Sequence, residues 1–109
     1  MNIYALSSGP GISGLAVIRV SGKNAKDIIK ELSRSNLPAP RVATLKKIYK
    51  HNSDELIDEG IILWFPAPNS YTGEDMAEIH VHGSRAVIDA VQNSISKIEG
   101  CRLAEPGEF

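Results

Sequence analysis

Along residues 75–82 the chain alternates: Ala77, Ile79 and Val81 fall on one side of an extended strand, and Met76, Glu78, His80 and His82 on the other. Ile3–Leu6, the β-branched run Leu15–Val20, the looser Arg41–Lys50, Ile57–Phe65 and a short run at Cys101–Ala104 also read as strands. Two segments repeat instead every three to four residues. Ala25, Ile28, Ile29 and Leu32 form one apolar stripe within Lys23–Arg34. Ala86, Val87, Ala90, Val91, Ile95 and Ile98 form a second, after Ser84. Ser21 or Asn24 is placed to cap the first helix and Ser84 the second, and Gly100 suits a left-handed stop. Leu37-Pro38-Ala39-Pro40 ends the first helix, because proline disfavours helical geometry in the residue before it. The order is β-β-α-β-β-β-α-β. Hairpin-linked strands with two helices predict an α+β domain, a mostly antiparallel sheet with the helices on one face.

Gly9–Gly14 spells GPGISG, the dinucleotide fingerprint G-x-G-x-x-G. That motif acts only between a strand and a helix, where a helix N-terminus meets the pyrophosphate. Here a β-branched run comes next, so the glycines are read as a link between two strands. Leu15 and Ala16 stand where a P-loop needs lysine and a hydroxyl residue, which excludes that reading as well.

With 109 residues, 42% of them hydrophobic, one core and one domain spanning 1–109 are expected. Twelve basic and thirteen acidic residues give a net charge of −1, unlike the basic surface of a nucleic-acid module. Lys46, Lys47 and Lys50 therefore read as a solvated strand or turn. Cys101 is the single cysteine and cannot form an internal disulfide, which suits a reducing compartment. With neither a signal peptide nor a long apolar run, the chain reads as soluble and cytoplasmic.

Two features exceed what a core requires. Arg19 interrupts an apolar strand, and its same-face neighbours Val17 and Leu15 are apolar, so its guanidinium either reaches solvent or faces a partner. Glu78-x-His80-x-His82 puts a carboxylate and two imidazoles on one strand face. That trio fits a wet or interface-facing strand, a divalent metal site lacking a further ligand, or a carboxylate accepting two N–H groups from a planar heterocycle. The spacing leaves these open, and no metal ligand or catalytic residue is assigned. Ser7, Ser8 and Ser70 lack a base partner.

Four blocks nevertheless resemble a known family. They are Pro10–Gly22, the long Phe65–Asp75 stretch FPAPNSYTGED, His82-Gly83, and Glu105–Phe109. In this order they resemble the N-terminal domain of the TrmE/MnmE tRNA modification GTPases, and they cover the chain from end to end. The resemblance implies a fold similar to folate-binding aminomethyltransferase domains. It also implies binding of 5-formyltetrahydrofolate or a related tetrahydrofolate, and homodimerisation. Carried over by position, Arg19 and Glu78 match the family's folate-contacting residues; Gly73, in the tight Thr72-Gly73-Glu74 turn, and Asn69 are read either as structural residues or as shaping the pocket wall or dimer contact. The complete proteins of this family add a GTPase using GTP, magnesium and potassium, and act with the flavoprotein MnmG on carbon 5 of the wobble uridine of tRNA. Those parts lie beyond Phe109, so the chain is expected neither to hydrolyse GTP nor to modify tRNA alone. The chain departs from the family pattern at Gly9, Ile12, Ser13 and Ser84. An assembly-only domain with an incomplete folate pocket, and a free-standing one-carbon aminomethyltransferase-like protein, are the alternatives.

Overall fold

Every predicted element forms, in the predicted order. The computed structural model describes residues 1–7 and 14–109. Its strands are β1 (Asn2–Leu6), β2 (Leu15–Ser21), β3 (Thr44–Tyr49), β4 (Leu56–Phe65), β5 (Met76–His82) and β6 (Cys101–Leu103). Its helices are α1 (Ala25–Ser33) and α2 (Arg85–Ser96). The strands make one sheet in the order β3-β4-β5-β2-β1-β6. Each neighbouring pair is antiparallel except β1 with β6, which is parallel.

Register settles which side chains share a face. Ile18 pairs with Ile79, Val20 with Ala77 and Ala16 with Val81, while Ile62 and Trp64 of β4 lie opposite Ile79 and Ala77. These side chains are buried, and with Ile28, Ile29 and Leu32 of α1 and Val91 and Ile95 of α2 they form one cluster. Both helices thus cover the same face. Burying each large aliphatic side chain contributes about 1.5–3 kcal/mol. Cross-strand pairs on the opposite face include Arg19 with Glu78 and Val17 with His80.

The boundaries are tighter than the pattern predicts. α1 begins at Ala25, with Asn24 at its cap position making no side-chain cap bond. Neither predicted cap acts there, because Ser21 remains in β2 with its hydroxyl 2.7 Å from that of Thr72. Instead the Asn24 N–H donates to Oδ1 of buried Asn2 at 2.8 Å. Gly22, at φ 147°, lies so close to Asn2 that an added Cβ would fall 2.3 Å from that oxygen. Ser84 caps α2 as predicted, accepting from the Val87 N–H. That helix ends at Ser96, short of Ile98; Gly100 adopts φ 82° just before β6. β3 starts at Thr44 rather than Arg41, because Arg41 takes a left-handed φ of 64°. Met76 faces away from the helices and is still buried.

The sequence block at Glu105–Phe109 folds back on β6. Glu108 pairs with Arg102 and accepts the Glu105 N–H at 2.8 Å. The hydrogen bonds from the Arg102 side chain and the Glu105 main chain pull its carboxyl down to about 2. Residues 8–13, which hold most of the glycine loop, lie outside the described residues, but the element after Gly14 is a strand and not a helix. No helix among the described residues is long and apolar enough to cross a membrane.

Candidate functional site

The chemistry suspected in the sequence meets on the face of the sheet away from the helices. Arg19 Nε donates to Glu78 Oε2 at 3.1 Å across the β2–β5 ladder, and both side chains are largely shielded. Glu78 Oε1 lies 3.0 Å from His80 Nε2. The arginine therefore faces a partner. The trio read from residues 78–82 divides, however: His82 turns to Asp58 of β4, with Nδ1 2.9 Å from Oδ2 and the His82 N–H donating to the same oxygen at 2.9 Å. Burial raises the Asp58 carboxyl, but the hydrogen bonds from the His82 main chain and ring hold it below its ordinary value of 3.8. The two imidazoles thus serve different carboxylates and do not converge on one centre.

The block at 66–75 builds the wall beside this ladder. Asp75 Oδ1 accepts the Ala67 N–H at 2.8 Å, Ser70 donates to the Glu74 carbonyl, and Gly73 turns the chain at φ 80°. The Ala67–Pro68 peptide is cis. So folded, the loop sets the Tyr71 ring 5.4 Å from the Arg19 guanidinium. A cavity of about 600 Å³ opens here, lined by Arg41, Phe65, Pro68, Asn69, Ser70, Tyr71, Met76 and Glu78. Glu78 and Asn69 are thus brought to one cavity, and Gly73 serves the turn. A further, smaller hollow of about 300 Å³ on the sheet includes Leu45, Ile61, Leu63 and His80.

Nothing in the sequence pattern singles out Arg41, Phe65 and Tyr71. Arg41 reads as the start of a solvated strand, and nothing local in the loop predicts that Tyr71 returns over Arg19. Asp58 had a signal: it falls on the same alternation as inward-facing Ile62 and Trp64. Of the remaining candidates, Ser8 lies outside the described residues and the others have local roles. Ser7 donates to the Val17 carbonyl at 3.2 Å, Lys46 to the Ser35 hydroxyl at 3.0 Å, and Lys50 pairs with Glu55 at 2.8 Å. Cys101 is half-buried, and burial together with the Glu31 charge pushes its thiol up, away from the reactive thiolate.

Chemically, the cavity offers carboxylate lone pairs, aromatic faces and cationic N–H donors within one hollow. A carboxylate has about four acceptor positions. Arg19 and His80 take one on each Glu78 oxygen, so the remainder can accept two N–H groups from a planar ligand.

Residues 2–109 match the family described as GTP-binding protein TrmE N-terminus. The chain is 71% identical over its whole length to a tRNA modification GTPase MnmE from Pelagibacter ubique, of which it covers 25%. Over 98% of its length it is 52% identical to the mitochondrial 5-taurinomethyluridine-[tRNA] synthase subunit GTPB3 of Danio rerio, covering 21% of that protein. An MnmE from Zymomonas mobilis is 50% identical over 98% of the chain, which covers 25% of it. The chain thus spans about a quarter of the length of these curated relatives. With the match running from Asn2 to Phe109, the chain belongs to the TrmE N-terminal family of the tRNA modification GTPases.

Proposed function

We propose that this chain is the folate-binding and dimerisation module of a GTPase that modifies the wobble uridine of tRNA at carbon 5. The observation that carries the reading is the Arg19–Glu78 pair, 3.1 Å apart, whose carboxylate lines a cavity walled by Phe65 and Tyr71. A tetrahydrofolate offers what that wall lacks. Its amino-pyrimidine edge presents adjacent N–H donors in one plane, matching the two free acceptor positions on Glu78, and its ring system suits the aromatic sides. Arg19 holds the carboxylate in place from the neighbouring strand. When bound, the folate supplies a one-carbon unit; the residues here bind and orient it. The relatives' names support the tRNA part of the reading, and GTP, magnesium, potassium and the flavoprotein partner MnmG belong on it to the longer protein. For the homodimer, the supporting feature is the apolar hollow of Leu45, Ile61 and Leu63, with Leu45 60% exposed.

One observation favours a second reading, an assembly domain only. Glu78 is already engaged on both oxygens, by Arg19 and His80, as a structural ion pair would be. Isothermal titration with 5-formyltetrahydrofolate, with the oligomeric state measured by light scattering in the same buffer, separates the two. Folate binding that weakens tenfold or more in Glu78→Ala is the expected result, since hydrogen bonds to a charged group contribute roughly 1.5–3 kcal/mol. A folded dimer that takes up no folate replaces the first reading with the second.

A further inference from the structure

Three arginines lie over aromatic rings: Arg19 over Tyr71 at 5.4 Å, Arg34 over Tyr49 at 5.2 Å and Arg41 over Phe65 at 5.2 Å. Two of them also pair with carboxylates, Arg19 with Glu78 and Arg34 with Asp54. Arg41 pairs with none among the described residues. Its guanidinium donates to the main-chain oxygen of Asn69, leaving further N–H donors of its planar fork unused.

The side chain is nonetheless built into its place. Pro40 bridges to Trp64, the Arg41 N–H donates to the Trp64 carbonyl at 2.8 Å, and the backbone takes the left-handed φ of 64° that non-glycine residues avoid. Main chain, ring and Asn69 together hold a cation on the wall of the cavity that Glu78 also lines. The two opposite charges share that hollow without pairing, because Glu78 is committed to Arg19. Such a cavity suits a ligand with N–H donors, a flat body and an anionic group.

We propose that Arg41 receives the anionic group of the ligand whose planar donor edge is accepted by Glu78. Resting on the folate reading above, this assigns Arg41 to the glutamyl carboxylate and makes it a determinant of specificity for the tail. The test is titration of the wild-type chain, Arg41→Ala and Arg41→Lys with 5-formyltetrahydrofolate and with its glutamyl diamide, in which both tail carboxylates are neutral amides. Because Arg41 is solvent-accessible, the wild type is expected to prefer the carboxylate ligand by about fivefold, and less at high salt. Arg41→Ala should bind both ligands alike, at the wild type's affinity for the diamide, and Arg41→Lys should retain part of the preference. Equal wild-type affinities, or an Arg41→Ala variant that weakens both ligands in proportion, overturn the assignment and leave the folate reading standing. A wild-type chain that binds neither overturns both.

Discussion

The helix-covered face of the sheet and the face opposite are made by the same strands, yet they are furnished by different rules. On the first, Ile18, Ile79 and Ile62 lie side by side, fully buried under two helices, and shape alone decides what fits. On the second, Arg19, Glu78 and His80 form a polar ladder in which each group is held by the next, at 3.1 and 3.0 Å. Successive residues of one strand therefore answer to different demands. Ile79 holds the fold together, while Glu78 keeps acceptor positions turned toward a cavity.

Truncating those two neighbours should separate the two faces most widely. Ile79→Ala deletes a fully buried side chain and should cost about 2–5 kcal/mol, read from urea unfolding. Glu78→Ala removes one partner of a partly shielded ion pair and should cost about 1 kcal/mol or less. Its main effect should fall on folate affinity. If the two variants unfold at the same urea concentration, the open face is as structural as the covered one.

The edge where the faces meet at the end of β5 gives an intermediate test. Asp58 accepts from the His82 main chain and ring, and its carboxyl sits below the ordinary value of 3.8. A carboxylate depressed on folding contributes stability above its unfolded value, and that contribution is lost as pH falls through the folded one. Asp58→Asn keeps an acceptor for the His82 N–H but gives up the charge, so it should cost about 1 kcal/mol near neutral pH. The gap from wild type should narrow as the pH falls below 3.8, because the unfolded chain's carboxyl then takes up a proton that the native one still refuses, and the narrowing is complete once the native carboxyl is protonated as well. Thermal unfolding of both proteins across that range checks this; a gap independent of pH would trace the cost to shape and not to charge.

The elements were legible because their signals are local. Alternation in β5 and the three-to-four repeat of Ile28, Ile29 and Leu32 need no knowledge of distant residues. Arg19 and Glu78 were legible as oddities, each a charge set in an apolar strand. What could not be read was their company. That they face each other depends on β2 lying beside β5, strands separated in sequence by α1, β3 and β4. Likewise, Ser21 looks like a helix cap until Thr72 arrives beside it, and Arg41 looks like a strand residue until the left-handed turn after Pro40 redirects it. The sharing of His80 and His82 between two carboxylates depends in the same way on β4 docking against β5. The resemblance to the TrmE N-terminal family marked Arg19 and Glu78 by position, but nothing in the spacing of residues gave the cavity its aromatic wall.

Tyr71 refines the contrast at its smallest scale, since it is 72% exposed and belongs to neither strand face but is brought over Arg19 by the folded loop. A cation over an exposed ring is worth about 0.5–1 kcal/mol. Tyr71→Leu should therefore leave unfolding nearly unchanged while lowering folate affinity about two- to fivefold, because Arg19 loses the ring that orients it toward Glu78. Tyr71→Phe keeps the ring and removes only the hydroxyl, so it should bind as the wild type does. Titration of the two variants side by side gives the answer. Equal weakening would move the contribution from the ring to the hydroxyl, and the loop would then act on the ligand directly instead of through Arg19.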